Sequence, residues 1–299
     1  MTTKQRNKKI FFFARIILTI GIIAFIIYKI DLAKIVSAFQ QANVWLLTVA
    51  SILIIAHVLI KSIKWHLLVT KIDNSNTFFD SVSSYLYGSS LSLVTPAKTG
   101  ELGRVINLKG DKLKLGSLTI ADKIFELIVV LCFAFIFSSS LLNNNFVKII
   151  AVIGTISFFV VLFIVQKKRD LIERKVKLKI VSKILDSLSL LTPAIQLKVI
   201  LLSIAVMLIY FMQAFFVVSA FHSVTPLNIL TVFPLILLTN ILPFTVGGLG
   251  VRESAAAVLL AAFGVPAEAA VSSTLLLLVF DTLIPGLVGS LNIISTKTK

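Results

Sequence analysis

Two short stretches carry the residues with the most chemical potential, "PAKTGELGR" from Pro96 and "PFTVGGLGVRE" from Pro243. Pro96, Gly100, Leu102 and Gly103 recur at matching offsets as Pro243, Gly247, Leu249 and Gly250. Arg104 follows the first set directly and Arg252 follows the second after one further residue, with Glu101 and Glu253 beside them. A proline that ends one helix, glycines that permit a tight or left-handed backbone, and a new helix with free N–H groups together make an anion site. Arginine adds a planar donor fork suited to phosphate or carboxylate. On this reading Gly247, Gly248 and Gly250 form a turn, and Arg104 and Arg252 bind an anionic group. Glu101 and Glu253 position the arginines or meet an amine. The alternative is a set of ion pairs that only locks the two stretches together.

Three further carboxylates lie in apolar surroundings. Asp122 and Glu126 are four residues apart, hence on one helical face, where two like charges can share a proton or bind a cation. They are candidates for proton or ion coupling, with pairing to Arg104 or Lys114 as the competing expectation. Asp281 sits inside "LLLLVFDTLIPGLVG", where a carboxylate must face a partner or water, and it joins the candidate substrate site. His57 and Lys61 share a face; His57 reads as a packed polar residue and Lys61 as a snorkelling one. Trp45 and Trp65 read as an interfacial aromatic belt.

Enzyme chemistry finds little support. There is no Walker loop, G-x-G-x-x-G, G-x-S-x-G or H-E-x-x-H in the chain, so no catalytic residue, cofactor or metal is expected. The single cysteine, Cys132, excludes a disulfide framework and a cysteine zinc site.

The elements that must hold these residues are membrane helices. Of 299 residues 58% are hydrophobic and 14% charged, with mean hydropathy +1.02, a composition far from that of soluble domains. Apolar stretches near the ~20 residues needed to span a bilayer occur at Ile10–Tyr28, Val44–Ile60, Gly116–Phe137, Ile149–Val165, Val199–Phe221 and Ala267–Ile294. The net charge of +16 sits in short loops between these stretches, which points to topology and anionic lipid rather than nucleic acid. Lys4, Arg6, Lys8 and Lys9 place the N-terminus in the cytoplasm. Phe78–Val94 is short and holds six serines and Asp80. If it spanned, the basic residues after it would lie outside, so it is expected to enter and leave on the cytoplasmic side. Asn228–Leu242 and Ser254–Phe263 are likewise too short to span singly and are expected to form a second hairpin from the outer side.

The fold class expected is therefore an all-α polytopic membrane protein. About six full transmembrane helices and two re-entrant helical hairpins form two inverted repeats, roughly 10–137 and 149–294, in one membrane domain over 1–299. A basic amphipathic segment at about 167–198 would lie on the cytoplasmic surface, and both termini would be cytoplasmic in the cell membrane. Discontinuous helices from two inverted repeats build binding sites near the bilayer midplane.

The motifs "LVTPAKTGELGRVINL" and "LPFTVGGLGVRE", followed by Gly264-Val265 and a long last apolar run, resemble the transmembrane family found in lysylphosphatidylglycerol synthetases, a flippase-like domain. The resemblance covers essentially the whole chain. It implies movement of a lipid between leaflets without ATP hydrolysis, here as a stand-alone member without the soluble aminoacyl-transfer domain. The expected partners are membrane lipids with an anionic headgroup, leaving room for a lipid-modifying partner enzyme and for an oligomer. The alternatives are a membrane enzyme using Glu101, Asp122, Glu126 or Asp281 as a base, or a non-transporting scaffold.

Overall fold

A computed structural model describes residues 32–138, 191–239 and 249–297, and all regular structure among them is helical. The expected spans Ile10–Tyr28 and Ile149–Val165, residues 167–190 of the amphipathic segment, and Pro243, Gly247 and Gly248 lie outside the described residues.

The helices are α1 (Leu32–Gln41), α2 (Val44–Val69), α3 (Phe78–Val94), α4 (Lys112–Ser138), α5 (Pro193–Phe221), α6 (Pro226–Thr239), α7 (Val251–Ala261), α8 (Ala267–Leu278) and α9 (Ile284–Lys297). A 3-10 segment, Pro96–Val105, follows α3, and a π turn, Val279–Leu283, joins α8 to α9. Among the described residues three stretches are long and apolar enough to cross a membrane: α2, α5, and the run Ala267–Leu291 through the π turn. The 27-residue α4 also has the length, but it carries Asp122, Lys123 and Glu126 in its middle. At 1.5 Å per residue, the 14 residues of α6 and the 11 of α7 reach only about 21 and 16 Å, short of the ~30 Å hydrocarbon layer.

Helix α2 begins where the Asn43 side chain accepts hydrogen bonds from the Trp45 and Leu46 N–H groups, a cap for otherwise orphaned donors. It continues past Ile60, the expected end of the span, to Val69. That extension carries Lys64 and Trp65 into the protein interior. Trp65 is fully buried whereas Trp45 is 73% exposed, so the expected belt is reduced to Trp45. The indole of Trp65 donates to Ser84 Oγ at 2.9 Å.

Helix α3 starts at a reciprocal cap. Asp80 accepts from the Thr77 N–H at 2.7 Å while Thr77 Oγ1 accepts from the Asp80 N–H at 3.2 Å, which accounts for Asp80 locally. Its serines face protein: Ser81, Ser84, Ser89, Ser90 and Ser92 are all buried. Ser90 donates to the Gly286 carbonyl at 2.6 Å and Ser84 to the Arg104 carbonyl at 2.6 Å. After α3 the chain doubles back, so that Gly100 lies on the Leu91 backbone and Arg104 lies beside Gly88. Asn76 then closes the loop, accepting from the Lys109 N–H at 2.8 Å and donating to its carbonyl at 3.1 Å. Residues 76–109 thus leave and return at one end of the bundle.

A Cβ on Gly100 would run into the Leu91 backbone, which cannot move aside as a side chain can. Gly100→Ala is expected to destabilise the chain by about 1–3 kcal/mol, as overpacking does, and to open the turn. A lowered unfolding temperature together with faster proteolysis after Lys98 or Arg104 would show this; unchanged values for both would contradict the close approach.

The packing order is reciprocal. Helix α2 runs along α5, α3 lies against α9, and α6 lies against α4. A core including Val129, Phe211, Ala214, Phe233, Leu260 and Leu277 ties α2 and α4 through α8 together, and a polar cavity lies among the helices.

Candidate functional site

The cavity encloses about 600 Å³, including its mouth. His57 and Lys61 reach it from α2, Tyr85, Ser89 and Ser92 from α3, and Glu101 from the 3-10 segment. From α5 to the π turn come Met207, Tyr210, Leu237, Arg252, Asp281 and Thr282. Of the expected site residues, Glu101, Arg252 and Asp281 meet here. Arg104, Asp122 and Glu126 sit alongside in a buried ion network, and Glu253 is spent on helix α7.

The start of α7 shows why. Gly250 has φ +86°, a backbone state that suits glycine. Its N–H donates to Glu253 Oε2 at 2.6 Å. A carboxylate at a helix N-terminus satisfies orphan donors and favours the helix dipole. Glu253 is thus a capping group, and Arg252, one residue before it, is directed to the cavity. The Arg252 guanidinium stands 3.4 Å from Tyr210 Oη. Its Nε has no hydrogen-bond partner among the described residues. A buried unpaired N–H on a cation is a costly arrangement, and a ligand anion would relieve it.

Arg104 differs from Arg252 in every contact. Its NH2 donates to Asp122 Oδ2 at 2.8 Å and its Nε to Thr119 Oγ1 at 3.3 Å, while the guanidinium stacks 3.8 Å above the Trp65 ring. It does not line the cavity. Pairing of Asp122 with Arg104 is one of the two arrangements expected from the sequence. The other cation on Asp122 is Lys64, 2.9 Å away, and not Lys114. Lys64 also donates to Glu126 at 2.7 Å and to Ser203 Oγ at 3.2 Å. Lys123 bridges Glu126, at 3.0 Å, and Glu101. Asp122 and Glu126 accordingly face cations. Lys61, 3.9 Å from Glu126, connects this network to the cavity, and it points inward rather than to an interface as expected.

On the opposite wall His57 Nδ1 lies 3.3 Å from Asp281 Oδ1. The contact is not aligned as a hydrogen bond, and neither Asp281 oxygen has a hydrogen-bond partner among the described residues. Lys61, Lys64, Tyr210 and the role of His57 were missed in the sequence. The available signal was the spacing His57, Lys61, Lys64, which keeps three basic groups on one stripe of a helix. Among the described residues no three His, Cys, Asp or Glu side chains converge as metal ligands would.

The arrangement can hold an anion at Arg252, Tyr210 and Lys61, and the carboxylates Glu101 and Asp281 line the same cavity. A family model described as the lysylphosphatidylglycerol synthase TM region matches residues 12–289. No curated protein matches the chain closely enough to count as a relative.

Proposed function

The chain belongs to the lysylphosphatidylglycerol synthase transmembrane-region family, and from that premise we propose that it moves a phospholipid or lipid-linked headgroup with an anionic group between leaflets, without ATP hydrolysis. The family is a membrane, lipid-related one, and the single observation that carries the finer reading is the cavity itself. It is a polar chamber between two halves of a membrane bundle, lined by Arg252, whose Nε has no hydrogen-bond partner among the described residues. Intramembrane charges cluster on substrate pathways because they are costly elsewhere. In this reading Arg252 and Lys61 bind the acidic part of the headgroup, Tyr210 orients Arg252, and Glu101 and Asp281 meet a donor on the headgroup. Arg104, Asp122 and Glu126 hold the first hairpin in place behind the site.

Two features support re-entrant, inverted halves. Residues 76–109 begin and end together at the Asn76–Lys109 contact, and α3 on α9 mirrors α6 on α4. In that topology the loops after the two hairpins face opposite sides of the membrane. With Cys132 replaced, single cysteines at Asp111 and Ala262 are expected to react with an impermeant maleimide from opposite sides. Labelling of both from one side would sink the inverted arrangement.

Native mass spectrometry of lipids retained through gentle purification tests the headgroup assignment. Enrichment of one anionic headgroup class, lost in Arg252→Gln, is the expected result. Bulk lipid alone, the same in both, would turn the reading toward a scaffold.

A further inference from the structure

We propose that His57 and Asp281 form a proton site whose occupancy is coupled to the headgroup in the same cavity, so that a proton gradient drives the lipid. The inference rests on the translocation reading above and names its energy source. Four observations lead to it.

The other carboxylates of this region are engaged. Asp122 and Glu126 face Lys64, Arg104 and Lys123, Glu101 faces Lys123, and Glu253 caps α7. Asp281 has the imidazole of His57 instead, the one side chain whose ordinary titration falls near neutral pH. Among the described residues neither Asp281 oxygen has a hydrogen-bond partner, which gives an arriving proton a place to sit. Finally, Asp281 belongs to a π turn inside an otherwise α-helical run; such turns are uncommon and concentrate at functional sites. The two halves contribute one member each, so the pair reports on how they sit against each other.

The charged surroundings complete the coupling. Lys61 is one turn from His57 on α2, and Tyr85 of α3, Glu101 of the 3-10 segment and Tyr210 of α5 border the same cavity. Glu126 of α4 lies beside Lys61, and Arg252 of α7 lines the same chamber as Asp281. A headgroup anion entering this space and a proton entering the pair attract one another, so each favours the binding of the other, reciprocally. One proton and one singly charged anionic lipid then cross together without net charge movement.

The test uses the full chain in phosphatidylcholine vesicles carrying a trace of fluorescent phosphatidylglycerol, with a pH difference of about one unit across the membrane. Label is expected to collect in the leaflet facing the alkaline side, toward a limit of about tenfold per pH unit for one proton per lipid. Asp281→Asn and His57→Gln should lose this dependence on the gradient in whatever exchange they retain, and Asp281→Glu should regain it. Exchange in the unaltered chain that ignores the gradient, or that follows it equally in both variants, would overturn the proposal. If the unaltered chain exchanges no lipid, the translocation reading fails, and the proton site is judged by acid–base titration of the chain in detergent. One group fewer titrating in Asp281→Asn supports the site; identical curves overturn it.

Discussion

Asp122→Ala is expected to lower the stability of the detergent-solubilised chain by about 3–5 kcal/mol, the range for removing one partner from a buried ion pair. Lys64 and Arg104 both pair with this carboxylate, and both are buried. With Asp122 gone, Lys64 keeps Glu126 and Ser203, but among the described residues Arg104 keeps only Thr119 and the Trp65 ring. An uncompensated guanidinium in the protein interior is the main cost. The hairpin carrying Glu101 should then loosen, because Arg104 anchors it to α4. Thermal unfolding followed by size-exclusion chromatography reads the loss. Exposed Lys114 serves as comparison, since Lys114→Ala should fall within about 0.5 kcal/mol of the unaltered chain. Adding Arg104→Met to Asp122→Ala should recover part of the loss, because the orphaned charge is removed with its partner. An Asp122→Ala chain as stable as the unaltered one would mean that the network does not hold the fold.

Arg252→Gln should act on function rather than folding. Its described side-chain contact is Tyr210 Oη at 3.4 Å, so little structure depends on it, and glutamine retains a polar group of similar reach. A hydrogen bond to a charged group contributes about 1.5–3 kcal/mol, so losing one such contact to the lipid should slow leaflet exchange by roughly 10- to 100-fold. The unfolding temperature should stay close to that of the unaltered chain. Arg252→Lys should fall between the two, because an ammonium keeps the charge and loses the donor fork. Equal exchange in all three chains would remove Arg252 from the substrate path.

The contrast between these two arginines shows what the sequence could reveal. Each follows a similar Pro-Gly-Leu-Gly pattern, and the pattern alone assigns them one role. Their environments differ because Asp122, 18 residues on, reaches Arg104, whereas no carboxylate pairs with Arg252 among the described residues. Pairings across such distances are set by how helices pack, which periodicity does not encode. The helical class and the shortness of α3, α6 and α7 were legible, because hydropathy is a local property; Arg252, Glu101 and Asp281 stand out in the sequence as charges in apolar surroundings, and the fold brings them to one cavity.

Helix α2 was harder to read for a related reason. Lys61, Lys64 and His66 lower the hydropathy just where the helix continues, so the span seemed to end at Ile60. In the fold Lys64 meets Glu126, 62 residues away, and that partner makes a lysine tolerable in the interior. His57 was legible as buried, but its neighbour Asp281 comes from the far end of the chain. Glu253 was misleading in the opposite way. A glutamate three residues after Gly250 is a local capping signal, and the neighbouring arginine drew attention from that simpler role.

The most direct test of the central claim is leaflet exchange by the unaltered chain. Purified protein is reconstituted into phosphatidylcholine vesicles with fluorescent phosphatidylglycerol, and an impermeant reductant bleaches the outer leaflet over time, with chromatography of the lipid afterwards. The account predicts bleaching beyond the outer-leaflet half, dependent on protein and on the headgroup, with the recovered lipid chemically unchanged. Bleaching that stops at the outer leaflet, as in protein-free vesicles, would contradict it, and a covalently altered lipid would make the chain an enzyme.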